Sequence, residues 1–164
     1  SSFGKYAQAL LILLGILFLS GLIVKGTEFI INLTPLKDWA FQLQHQSTST
    51  LKNLLAKDSN IGVFALKVLA ISVVPAIGEE LIFRGVLIKN FFRLTKNKHL
   101  AILISAILFS LMHFQPYNFI AFICIGMAFG YIYWKSKDIK ITILLHFLFN
   151  LSSLLMIEFG VFEM

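Results

Sequence analysis

The stretch IGEELIFRG, Ile77–Gly85, lies inside an apolar run and brings three formal charges into it, those of Glu79, Glu80 and Arg84. The run extends from Ile61 to Phe92. A membrane-spanning helix needs about 20 apolar residues at ~1.5 Å rise each. This run is too long for one simple span and is expected to leave the membrane before Asn90. At the bilayer centre each charge would cost about 2.5–3.5 kcal/mol, and the three together roughly 8–10, if none were paired. Glu80 and Arg84 are four residues apart, so on a helix they share a face and can form an ion pair. Glu79 is turned away by about 100° and has no basic residue at a helical neighbour position. It must meet a partner on another helix, carry a proton, or reach water. Pro75, one turn earlier, frees the carbonyl of Ile71 and kinks the helix. Gly78 and Gly85 bracket the charged turn and allow a second backbone or a substrate to come close, although helix packing alone would also use them.

The rest of the chain explains why these charges matter. Of 164 residues, 58% are hydrophobic and only 13% charged, and Phe alone occurs 17 times; the mean hydropathy is +0.85. Soluble domains are about 45–50% apolar and about 25% charged, so the chain departs from both norms in the direction of a membrane protein. The expected fold is all-α, a multi-pass transmembrane bundle of about five spans with interfacial amphipathic helices. The candidate spans are Tyr6–Val24, Ile61–Phe92, Leu100–Phe114, Tyr117–Trp134 and Ile139–Ile157. Residues 1–60 read as an N-terminal span with an amphipathic interfacial segment, and residues 61–164 as the functional membrane domain. The net charge of +6 does not point to nucleic acid, because the cations sit in short loops instead of a basic patch interleaved with aromatics. Cys124, the single cysteine, permits no intrachain disulfide and reads as a small buried apolar residue. The chain begins Ser1-Ser2, as a tag remnant, processing or truncation would leave it, and no separate targeting peptide is evident.

Between the first two spans, Thr34-Pro35 reads as a helix start, with Thr as cap and Pro at the first position. Leu36, Trp39, Ala40 and Leu43 share a face, and Leu51, Leu54 and Leu55 resume the pattern after a Gln/Ser/Thr-rich break. The expectation is two short amphipathic helices at the interface, with His45 in the break and His99 beside a lysine as solvated loop residues. Lys89, Arg93, Lys96 and Lys98 follow the second span, and Lys135, Lys137 and Lys140 the fourth. Positive loops stay on the cytoplasmic side, which puts the N-terminus inside and the C-terminus outside.

Two further spans carry polar residues one turn apart. FSLMH aligns Phe109 with His113, and HFLFN aligns His146 with Asn150. Measured from the basic loops, Glu79 and His113 lie about 20 Å deep and Asn150 about 16 Å, so all can meet in one layer. EELIFR, FSLMH and HFLFN match EExxxR, FxxxH and HxxxN in order along the chain. In these motifs the chain resembles the CPBP family of intramembrane proteases, the CAAX protease and bacteriocin-processing (Abi) family, over about Ile61 to Ile157.

The resemblance implies peptide hydrolysis by activated water. Glu79 would be the base, helped by His113. His146 and Asn150 would face the developing oxyanion. Glu80 and Arg84 would orient the site or bind the substrate's backbone or C-terminal carboxylate, and Phe109 would wall the pocket. Such a family accommodates a metal-free glutamate mechanism and also a zinc held by Glu79, His113 and His146. It implies as partners the lipid bilayer and a protein or peptide substrate, either a prenylated C-terminus or a bacteriocin-like peptide, and the compact size favours a bacterial cell membrane. Other membrane proteases fit worse. HExxH is absent, Asp38, Asp58 and Asp138 lie outside the spans, and no serine stands in a GxSG context. The rival readings are a protease-like scaffold or immunity protein that acts by binding, and a proton-coupled transporter using a Glu/His relay. The first would show a lost motif residue and the second a polar path through both leaflets.

Overall fold

The computed structural model describes residues 2–55 and 60–159, and among these it is almost entirely helical, without strands. Helix α1 is Ser2–Asn32 and α2 is Lys37–Leu54. Helix α3 runs from Ile61 to Thr95, α4 is Lys98–Leu111, α5 is Phe119–Ser136 and α6 is Ile139–Glu158. Among the described residues, four helical segments are long and apolar enough to cross a membrane: Leu14–Asn32, Ile61–Thr95, Pro116–Ser136 and Ile139–Glu158. The 14-residue α4 is apolar but shorter than a span. Leu66, Leu69, Val74, Leu81, Ile82 and Val86 point outward from α3. Such apolar exposure suits a helix whose surroundings are lipid.

Helix α3 stays continuous for 35 residues, about 50 Å, which exceeds the ~30 Å hydrocarbon core. Two π-helical turns, Val68–Val73 and Leu81–Leu87, flank the short α-helical turn that carries Pro75, Glu79 and Glu80. The first ends directly before Pro75, with the Val74 N–H bonded to Leu69 O five residues back, the kind of bulge that accommodates a residue lacking an N–H. Helix α6 packs antiparallel to α3. Two contacts fix the register, Glu80 with His146 and Lys67 with Glu158. Ile125, Phe129, Ile141 and Leu145 form the core between α5 and α6, and Ile16 and Leu17 bring α1 onto it.

Several expectations change. The segment after α1 forms one helix, Lys37–Leu54, not two. Ser47, Thr48 and Thr50 donate to the carbonyls of Leu43, Gln44 and Gln46, so the polar stretch satisfies itself along the helix instead of breaking it. Thr34 does not cap it. Its hydroxyl donates to Ile31 O and accepts from Leu36 N–H, closing the turn after α1, and α2 starts at Lys37. His45 and His99 are exposed but helical. His45 stacks on Phe41, and His99 Nδ1 lies 2.6 Å from Tyr131 Oη. Cys124 is exposed on α5.

Close approach occurs at other glycines than those bracketing the charged turn. A Cβ on Gly78 would meet nothing within 4 Å. On Gly126 it would lie 3.0 Å from Ala106 Cβ, and on Gly130 2.7 Å from Ile102 Cγ2. The Gly126-x-x-x-Gly130 spacing thus brings α5 against α4, as small residues do between membrane helices.

Candidate active site

Three helices and one turn converge on the carboxylates of α3. Arg84 Nη1 lies 2.9 Å from Glu80 Oε1, the expected i, i+4 pair, and both side chains are fully buried. Arg84 is held from two further directions. Its Nη2 donates to Gly126 O at 3.1 Å, which the tight α4–α5 contact brings within reach. Its guanidinium lies 5.1 Å from the centre of the Phe109 ring and 5.5 Å from that of Phe129, within the range of cation–π attraction. A planar cation stacked and forked in this way is fixed in orientation.

Glu80 Oε1 also faces His146 Nδ1 at 2.9 Å. The carboxylate, paired with Arg84, accepts, so Nδ1 carries the proton and Nε2 points elsewhere. It points toward Glu79, whose Oε2 is 3.8 Å away. Glu79 therefore finds its partners on other elements. The second is His113, with Nε2 4.0 Å from the same oxygen. His113 Nδ1 donates to Phe109 O at 2.7 Å, which turns Nε2 toward the carboxylate.

Accessibility divides the cluster. Glu79 and His113 keep 20% and 24% of their side chains exposed, whereas Glu80 and Arg84 keep 0% and 1%. An incoming molecule can touch the first pair and not the second. Phe109 lies between the halves, with its ring 4.8 Å from His113 and 5.8 Å from His146 between centroids. Asn150 stands one turn beyond His146 on α6, half-buried, and makes no hydrogen bond among the described residues. A separate apolar cavity of about 240 Å³, lined by Val73, Ala76, Ile77 and Phe147 among others, lies along the α3–α6 seam and includes none of these groups.

The zinc ligand set can be tested on this geometry. Tetrahedral zinc with ligands at about 2.0–2.2 Å holds donor atoms roughly 3.2–3.6 Å apart. The distances of 3.8 and 4.0 Å from Glu79 to the two imidazoles exceed that spacing. Among the described residues no three His, Cys, Asp or Glu side chains are arranged to hold a metal ion. The trio as placed does not fit zinc.

Sequence reasoning missed the contribution of α5. Phe122, Gly126 and Phe129 contact His113, Arg84 and His146 respectively. Their 4- and 3-residue spacing was the available signal. It also passed over Lys67, buried in the apolar run and paired with Glu158 at 3.1 Å.

A multi-pass helical membrane protein with a Glu–Glu–Arg turn facing two histidines from other elements is thus the class the geometry defines. Residues 61–152 match the family described as type II CAAX prenyl endopeptidase Rce1-like, and the chain belongs to that family. A relative in Bacillus subtilis (strain 168), named "Putative membrane peptidase YdiL", is 29% identical over 85 residues, 52% of this chain. The matched segment spans 34% of that relative's length. No solved structure matches the chain.

Proposed function

We propose that this chain is an intramembrane endopeptidase that hydrolyses a peptide bond of a membrane-associated protein or peptide with water activated by Glu79. The observation that carries the reading is the shared focus of Glu79 Oε2, a buried oxygen without a hydrogen-bond partner among the described residues, and two imidazole Nε2 atoms 3.8 and 4.0 Å away, with the Glu79 and His113 side chains partly exposed around it. With Nδ1 of His113 donating to Phe109 O, its neutral Nε2 is an acceptor, as is the carboxylate. A group between two acceptors must donate to both, and water has two O–H bonds for that purpose. Glu79 then takes one proton as the oxygen attacks the scissile carbonyl, and later delivers it to the leaving amine.

The tetrahedral intermediate needs donors. The Asn150 amide, which makes no hydrogen bond among the described residues, supplies one, with His146 Nε2 one turn away on the same helix and oriented by the Nδ1–H bond to Glu80. Glu80 and Arg84 orient His146 and do not touch substrate, because both are buried. Phe109 forms the wall between the reacting edge and that ion pair. Residues 61–164 are the catalytic unit. Family membership supports a CAAX-type substrate with a prenylated C-terminus; a bacteriocin-like peptide in a bacterial membrane is the second candidate.

The test is hydrolysis of a quenched-fluorescent peptide library by the detergent-purified protein, comparing wild type with Glu79→Ala and recording a melting curve for each. The expected result is cleavage by wild type that disappears in a folded Glu79→Ala. Cleavage unchanged in that variant would remove Glu79 as base. A chelator series in the same assay measures any dependence on metal.

A further inference from the structure

His113 stands in a turn, not on the helix that its spacing from Phe109 suggests. Helix α4 ends at Leu111, the His113 N–H turns back to Ser110 O at 3.2 Å, and Phe114 adopts φ of 51°. That left-handed region is disfavoured for a bulky residue and persists only where the surroundings impose it. Packing of the Phe114 ring does not impose it, since the side chain is 66% exposed. The backbone is held instead, from α2. The Ser47 hydroxyl donates to Phe114 O at 2.9 Å. Gln44 Oε1 accepts from the Tyr117 N–H at 3.3 Å. Ser47 and Gln44 are three residues apart and share a face of α2. The Ser47 hydroxyl also lies 3.0 Å from Leu43 O, so its single proton is shared between its own helix and the turn. The turn's other side-chain bonds, His113 to Phe109 O, Ser110 to Phe119 O and Asn118 to Gln115, run within residues 109–119 and leave the Phe114 carbonyl to Ser47.

Both Ser47 and Gln44 lie outside the 61–152 region that matches the family. We infer that α2 is a strap over the active site, with Ser47 and Gln44 as positioning residues that hold the His113 turn so that its Nε2 faces Glu79. The inference rests on the reading of His113 as the partner of Glu79 in activating water. It gives a use to the Gln/Ser/Thr-rich stretch, which is otherwise an unusual composition in so apolar a chain. It also explains why α2 packs on the 116–118 turn beside the site.

The test uses the full chain in detergent with ¹⁵N-labelled histidine, and reads two quantities. One is the ring signals of the four histidines; the other is kcat and KM on whichever library peptide wild type cleaves. In the Ser47→Ala/Gln44→Leu variant the His113 signal is expected to move while that of His146 stays. The kcat is expected to fall about 10-fold or more with little change in KM, since small misplacement of a catalytic group is costly. Ser47→Thr keeps the hydroxyl and should restore both readouts. Thr48→Ala, whose hydroxyl bonds only within α2, should change neither. An unmoved His113 signal with unchanged kcat in the folded double variant overturns the inference. So does a shift of all four signals together, which would mark a general structural role. If the double variant does not melt cooperatively, Gln44→Leu alone decides on the same readouts. A wild type that cleaves nothing, but whose His113 signal moves selectively on Ser47→Ala, leaves the strap standing and sinks the peptidase reading.

Discussion

Glu80 accepts the Nδ1 proton of His146 at 2.9 Å across the seam between α3 and α6, and the same oxygen lies 2.9 Å from Arg84. One buried carboxylate therefore sets the orientation of an imidazole and balances a guanidinium. Its two jobs can be separated. Glu80→Gln keeps an acceptor for Nδ1 but removes the charge, so kcat is expected to fall by about tenfold to a hundredfold with KM little altered. Glu80→Leu strands Arg84 without its counter-ion and is expected to destabilise by about 3–5 kcal/mol. Melting curves and initial rates on the two variants check this. A Glu80→Leu protein that melts like wild type would show that Arg84 has other compensation.

Arg84→Lys tests geometry at constant charge. Lysine is a point charge without the planar fork, so it cannot pair Glu80, reach Gly126 O and stack on Phe109 and Phe129 at once. The expected outcome is a lower melting temperature and a kcat reduced in parallel with Glu80→Gln. Equal behaviour of Arg84→Lys and wild type would mean that charge alone suffices there.

How much of this was legible in the sequence depends on the range of the interaction. Glu80 and Arg84 could be paired from spacing alone, because four residues on a helix share a face whatever lies around it. That Glu79 lacked a local base was equally readable, and so was its need of a partner on another helix. The clamp on Arg84 was not, because it depends on how closely α5 approaches α4. The turn at His113 was hidden for a similar reason. FSLMH is compatible with one more turn of helix, and only the contacts of Phe114 and Tyr117 with α2 show where the helix stops. The Ser/Thr-rich segment misled in the opposite direction. Its hydroxyls suit turns, but here they bond back along the helix.

The α4–α5 contact makes a prediction with an internal control. A methyl on Gly126 would sit 3.1 Å from Ala106 Cα, a backbone atom that cannot step aside. Gly126→Ala is expected to destabilise by about 1–3 kcal/mol through overpacking, and to displace the carbonyl that receives Arg84. Gly78→Ala meets nothing within 4 Å and should be neutral or slightly stabilising, because glycine is the poorer helix former. Thermal melts of the two alanine variants side by side measure the difference. If both behave alike, close packing at Gly126 is not what places that carbonyl.

The last prediction concerns coupling between Glu79 and His113. Their facing atoms are 4.0 Å apart, too far for a direct hydrogen bond and close enough to address one water molecule. Groups that act as a unit are non-additive when removed. Glu79→Gln and His113→Ala are each expected to lower kcat by about 10²–10⁴, the range for general acid–base catalysis. The double variant should lose little beyond the worse of the two single ones, since once the base is gone its partner has nothing left to assist. Losses that multiply would instead mean that the two groups serve separate steps. His113 would then belong to substrate binding, and a rise in KM for His113→Ala alone would accompany that outcome.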